Sequence, residues 1–276
     1  MALAFNEEQR TLKDTAREFS KNQSSIDSFR ELRNSPTPSG FSEDIWQAMI
    51  ELGWTGMIFP EIYGGFDFGC MGLAGCMEEM GKTLVASPLL SSVVLCGSTI
   101  LYAGNEEQKT TLLPHIVSGE KRWALAMDEG FHHNPAGIAV IAETTGNGFI
   151  LDGTKVRVID GNGADSFIVV ARTAGQTGDK QGISLLMVDA QTPGVHIEHV
   201  SLVDSRSYAR LTFSNVAVSS DQLLGELGNG FAALDKALDR ARICLAAEMF
   251  GGMQEIFERT VQYLKERKQF GVLIGT

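Results

Sequence analysis

Cysteine is scarce and unpatterned in this 276-residue chain: Cys70, Cys76, Cys96 and Cys244 show no CxxC spacing and no neighbouring histidine that would complete a metal site. Four buried, reduced thiols are expected. Basic residues are in deficit, 23 Lys and Arg against 34 Asp and Glu for a net charge of −11, and no Lys/Arg run offsets it. Such a surface repels a phosphate backbone, which excludes nucleic acid as a partner. Long apolar runs are missing as well. The most apolar stretch, residues 89–102, is interrupted by Ser91, Ser92, Gly97, Ser98 and Thr99. It falls short of the ~20 residues a membrane span needs and reads as a core helix. The first residues carry acid (Glu7, Glu8) where a signal peptide carries base, so a cytoplasmic protein with no membrane partner is expected. There is no internal repeat and no low-complexity tract.

What is present is a globular composition, 43% hydrophobic with 30 glycines, and a length that suggests roughly two domains. The first third has helical spacing. Asn6 with Gln9 makes a capping box ahead of Leu12, Ala16 and Phe19. Ser42 caps a second helix carrying Ile45, Trp46, Met49 and Ile50, which Gly53 ends. Asn105 with Gln108 opens a third, which Pro114 is expected to close.

After Glu120 the period changes. Residues 122–127, 138–143, 149–159, 166–173, 182–189, 195–200 and 208–218 are short runs rich in Val, Ile, Leu and Phe, separated by turn residues such as Asn147-Gly148 and Pro193-Gly194. An antiparallel β-barrel or sandwich is predicted. From Gly230 the helical period returns, with Leu234, Leu238, Ala241, Leu245, Met249, Ile256, Thr260 and Tyr263 on one stripe. The fold class is therefore α+β and multidomain: a helical bundle over 1–118, a β domain over 119–222, and over 223–276 the first long helix, 226–268, of an incomplete C-terminal helical domain.

Local motifs in this order resemble the acyl-CoA dehydrogenases, flavoenzymes that oxidise the Cα–Cβ bond of acyl-CoA thioesters. The motifs include Glu51-Leu52-Gly53-Trp54, Pro60-Glu61 with Tyr63-Gly64-Gly65, and Glu79-Met80-Gly81. Further along come Gly104-Asn105-Glu106-Glu107-Gln108-Lys109, Leu151-Asp152-Gly153-Thr154-Lys155, Leu224-Gly225-Glu226, and Arg267-Lys268-Gln269-Phe270-Gly271. The resemblance implies FAD held between the β domain and the C-terminal helices, partly contacted by a neighbouring subunit. It also implies an acyl-CoA substrate and an electron-transferring flavoprotein as partner, in a homo-oligomer or a heteromeric assembly.

Carried over residue by residue, the resemblance implies flavin contacts at Trp123 and Leu125, at Val158, and, across a subunit interface, at Arg267, Gln269 and Phe270, with Arg242 against the substrate. Arginine suits a pyrophosphate because its planar fork gives two parallel charged hydrogen bonds. A purely structural alternative makes Lys265, Arg267 and Lys268 the basic last turn of the helix. Two flavin motifs are eroded. Ala126 and His132 replace a threonine and a serine of the first. Arg157 and Ile159 replace the tryptophan and the hydroxyl residue of the second, and Ile159 cannot donate to flavin N5. The catalytic Glu of a minority of members would fall at Ala241, and the usual position lies beyond Thr276. No catalytic base is thus recognisable, and Glu248 reads as a solvated acid. Two explanations, which can both hold, are that the chain is a fragment and that it is a non-catalytic subunit of a heteromeric dehydrogenase. His132-His133 beside Asp128 and Glu129 is not a metal site, because adjacent residues on a strand point to opposite faces.

Overall fold

The computed structural model describes residues 5–275. Helix α1 (Glu7–Asn22) begins at the predicted capping box: Asn6 Oδ1 accepts from the Gln9 N–H at 2.7 Å, and the Gln9 carboxamide oxygen accepts from the Asn6 N–H at 3.1 Å. Helix α2 spans Ile26–Asn34, and α3 (Glu43–Glu51) is capped by Ser42, as read from sequence. Gly53, at φ +74°, turns the chain out of α3 in the left-handed region that favours glycine. Helix α4 covers Gly69–Thr83. The broken apolar stretch is a core helix, π-helical over Leu89–Gly97 and continuing as α5 (Ser98–Ala103). Helix α6 (Glu106–Val117) repeats the capping box at Asn105 and Gln108. It runs one turn past Pro114 instead of stopping there, because proline removes a single donor and the Ser118 N–H still closes on the Pro114 carbonyl at 2.9 Å.

The seven predicted β runs all form: β1 (Trp123–Ala126), β2 (Ile141–Thr145), β3 (Gly148–Ile159), β4 (Ser166–Arg172), β5 (Ile183–Asp189), β6 (Val195–Ser201) and β7 (Ser207–Ser219), joined by the short β8 (Leu223–Leu224). The sheet order is β6-β7-β3-β2-β4-β5-β8, with β1 also on β4. It is mixed where a purely antiparallel sheet was expected. Strand β1 runs parallel to β4 from Trp123 opposite Ser166, and β2 meets the same edge in parallel at Ile141 opposite Arg172. Hairpin signals report only sequence neighbours. Here the chain leaves the sheet after Ala126 and rejoins the same edge at Ile141.

Strand alternation divides the apolar residues between two cores. Ala124, Ala126, Val158, Phe167, Val169 and Leu186 point into the curled sheet, whereas Trp123, Leu125, Ile168, Val170 and Leu185 point outward onto the helices. Helix α7 (Phe231–Glu266) starts later than expected, since the Gly225–Gly230 turn first docks the Gly230 N–H on the Ile183 carbonyl at 2.8 Å. It crosses α4 at two glycines. A Cβ on Gly81 would lie 2.0 Å from the Glu248 carbonyl oxygen, and one on Gly251 would lie 1.8 Å from that of Glu78. Past Glu266 the chain forms a hairpin of β9 (Lys268–Gln269) and β10 (Val272–Leu273), not a further helical turn.

Candidate active site

A cavity of about 300 Å³ lies where the β domain, the π-helical segment and α7 meet. Its walls are mostly apolar: Leu90 and Leu95 from the π-helix, Leu125 and Met127 from the outward face of β1 and its exit, Ile159 at the end of β3, and Leu238, Ala241 and Leu245 at helical spacing on α7. Polar groups sit on the remaining wall: Asp128, His133, Arg157 and Arg242. The volume is at the small end of ligand cavities, which are typically ~300–1,000 Å³.

The wall that follows β1 is fixed by ionic pins. Glu129 accepts from the backbone N–H groups of Ala139 and Val140 at 2.8 and 3.0 Å and from Lys155 Nζ at 2.6 Å. Lys155 also donates to the Met127 carbonyl at 3.0 Å. Burial pulls the Lys155 ammonium down to about 8, and the Glu129 carboxylate offsets part of that drop. Arg172, buried at the end of β4, donates to the Ile138 carbonyl at 2.7 Å. Arg157 sits at a β-bulge with φ +51°, a conformation β-strand residues avoid, and the bulge aims its guanidinium at the carbonyls of Gly130 and Phe131. His133 is on this loop rather than on a strand, and its Nδ1 lies 3.4 Å from Asp128 Oδ1.

Two polar pairs link the helical region, the β domain and α7. Ser91 Oγ donates to Asp160 Oδ2 at 2.7 Å, and Arg206 pairs with Glu248 at 3.3 Å. Burial raises the Asp160 carboxyl to about 6, against the pull of Arg206 and the Ser91 hydrogen bond. Glu248 is therefore not the solvated acid expected. It faces Arg206 rather than the cavity, with Oε2 buried and unpartnered.

The chain matches the family models described as acyl-CoA dehydrogenase N-terminal domain over residues 6–120, middle domain over 128–216 and C-terminal domain over 228–276. It belongs to the acyl-CoA dehydrogenase family. It is 30% identical over 277 residues to the caffeyl-CoA reductase-Etf complex subunit CarC of Acetobacterium woodii, covering 98% of this chain and 72% of that protein. It is 31% identical over 278 residues to the acryloyl-CoA reductase (NADH) of Anaerotignum propionicum, covering 98% of this chain and 69% of that one. The structure of butyryl-CoA dehydrogenase from Megasphaera elsdenii aligns with a TM-score of 0.86 at 27% identity, over 99% of this chain and 73% of that chain.

In this family member the sequence-selected positions part company. Leu125 and Arg242 line the cavity, as do the eroded positions Arg157, Ile159 and Ala241. Val158 does not: one residue before Ile159 on β3, it points into the sheet core. Trp123 packs outward in the helical core with its backbone N–H on Ser92 Oγ at 3.1 Å, but it is not on the cavity wall. Arg267, Gln269 and Phe270 lie on the terminal hairpin beyond α7, and Phe270 is 98% exposed at φ +52°. Sequence reasoning missed Met127, the last residue of the run read over 122–127, and Asp128 and His133, whose loop has no periodicity to read.

The wall chemistry fits the ring of a flavin. The slot is apolar, and Asp128 on its wall has a buried Oδ1 that makes no hydrogen bond, with His133 Nδ1 at 3.4 Å, so a bound N–H would meet an acceptor there. Ile159, also on the wall, supplies no donor.

Proposed function

We propose that this chain forms the acyl-CoA- and FAD-binding part of an acyl-CoA dehydrogenase-type oxidoreductase, catalysing α,β-dehydrogenation of an acyl-CoA thioester and passing electrons to an electron-transferring flavoprotein. The observation that carries the reading is the cavity, which gathers Leu125, Ile159, Ala241 and Arg242 from the β domain and α7 onto one wall system. FAD, when bound, supplies the acceptor for the β-hydride. The chain's own residues supply the rest. Leu90, Leu95, Leu238 and Leu245 exclude water, the backbone after β1 and Asp128 meet the polar edge of the ring, and Arg242 stands at the substrate side, steered by Asp239 at 2.5 Å. On this reading Arg267, Gln269 and Phe270 serve the FAD of a partner subunit from the terminal hairpin. Ala241 offers a methyl group where proton abstraction needs a carboxylate, so this position of α7 supplies no base for the α-proton.

The second reading, a non-catalytic subunit of a heteromeric dehydrogenase, is favoured by Ala241 and Ile159 both facing the cavity. An anaerobic titration with a panel of acyl-CoAs separates the two. Purified protein that is yellow with oxidised flavin, and whose flavin bleaches only when a partner subunit is added, supports flavin and acyl binding with the base supplied in trans. A colourless protein that nonetheless stabilises an active partner supports the scaffold. Bleaching by this chain alone would overturn the missing-base argument and would make Asp128 and His133 the first residues to replace.

A further inference from the structure

Helices α4 and α7 bring two of the four cysteines together. Cys70 Sγ and Cys244 Sγ are 3.6 Å apart, although 174 residues separate them in sequence. We propose that Cys70 and Cys244 form a peroxide-oxidisable dithiol, in which Cys70 is the attacking thiol and Cys244 the resolving thiol, and whose product is a disulfide tying α4 to α7.

The division of labour follows from placement. Cys70 is partly exposed and occupies the first turn of α4, where the unpaired N–H groups of the helix favour a thiolate. The hydrogen-bonding contact with the Cys244 sulfur, and after it the nearby Arg240 charge, draw the Cys70 thiol down to about 7 against its partial burial. Cys244 is fully buried between the helices, with its own thiol pushed up by the Cys70 sulfur it bonds to and by burial. A hydroperoxide reaching the surface meets Cys70 first. Its thiolate attacks one peroxide oxygen and the O–O bond breaks. With one proton taken up, Cys70 becomes a sulfenic acid and one molecule of water or alcohol leaves. The Cys244 sulfur then attacks the sulfenic sulfur, giving up its proton as the hydroxyl departs as water. The balance is two thiols and one hydroperoxide to one disulfide and two oxygen-bearing leaving groups, with the peroxide reduced. Closing 3.6 Å to a bond of about 2.05 Å requires about 1.5 Å of approach. Cys244 lies between Ala241 and Leu245, both on the cavity wall, so the bond fixes that wall against the N-terminal helices. Cys76 and Cys96 make internal controls: both are buried, and burial pushes the Cys76 thiol up to about 12 and that of Cys96 well above its ordinary value.

The test uses the whole chain treated with hydrogen peroxide, then mapped without reduction. The expected result is loss of two of four titratable thiols, a peptide pair joined through Cys70 and Cys244, and a rise in melting temperature reversed by dithiothreitol. In Cys244→Ser, dimedone should trap a sulfenic acid on Cys70 and no internal cross-link should appear. In Cys70→Ser, both the cross-link and the sulfenic acid should be lost. Persistence of four thiols, over-oxidation of Cys70 without a link to Cys244, or a Cys70–Cys70 link between chains would overturn the proposal. Because serine at the buried 244 position can unfold the chain, the mapping of the unaltered protein decides the matter by itself.

Discussion

At Ala241 a methyl group faces the cavity. If the missing carboxylate is what limits the chemistry, Ala241→Glu should raise the rate of flavin reduction by acyl-CoA by about 10²–10⁴-fold over the unaltered chain in anaerobic stopped-flow, the usual contribution of a positioned base. An unchanged rate with flavin and acyl-CoA both bound would show that another defect, such as the absent hydroxyl at Ile159, dominates. Asp160 gives a prediction with a definite sign. Its folded carboxyl titrates near 6 rather than 3.8, so its contribution to stability is fully present below 3.8 and is lost as pH rises through 6. The loss at neutral pH is about 3 kcal/mol as an upper figure. Asp160→Asn keeps an acceptor for Ser91 and suits φ +55°, which asparagine tolerates. The variant should gain on the unaltered protein as pH rises from 4 to 7 in urea unfolding, and a difference independent of pH would refute the burial argument.

At the scale of elements, the crossing of α4 and α7 depends on the absence of two side chains. Gly251→Ala drives a methyl group into the Glu78 carbonyl and Gly81→Ala drives one into that of Glu248, contacts that cannot relax without moving a helix backbone. Each should cost about 1–3 kcal/mol or more, seen as a fall of several degrees in the calorimetric melting temperature. Gly252→Ala is the matched control. Its nearest obstacle is the Gly81 carbonyl at 3.4 Å, so it should be neutral or stabilising. A helix-wide loss of propensity cannot produce that contrast, because alanine is the better helix former at every one of these positions.

For the molecule as a whole, the far part of α7 is the feature still to be covered. Met249, Phe250, Met253, Ile256 and Phe257 are all more than half exposed, at spacings that place them along one side of the helix. An apolar stripe of that extent exceeds the scattered exposure of soluble monomers. Dimers or tetramers are expected in sedimentation velocity, and a monodisperse monomer would contradict this. Among the described residues no helix is long and apolar enough to cross a membrane, so the stripe is not a bilayer span.

Much of this was fixed locally. Capping boxes at Asn6 and Asn105, the Ser42 cap, the seven β runs and the α7 stripe are encoded within a few residues, where capping and periodicity act; the caps formed where they were read, while the second strand formed three residues later and α7 began at Phe231. What only the folded chain decided are juxtapositions across long sequence separations. They put β1 and β2 on one edge of β4, set Ile159 rather than Val158 on the cavity wall, paired Glu248 with Arg206, and brought Cys70 against Cys244. Even the serines that interrupt the apolar stretch found their purpose only in the fold, Ser91 on Asp160 and Ser92 on the Trp123 backbone. The reason is physical: capping, turn chemistry and strand alternation act between neighbours in sequence, whereas the partner of a buried polar or thiol group is chosen by which surfaces pack together, and no local pattern records that choice.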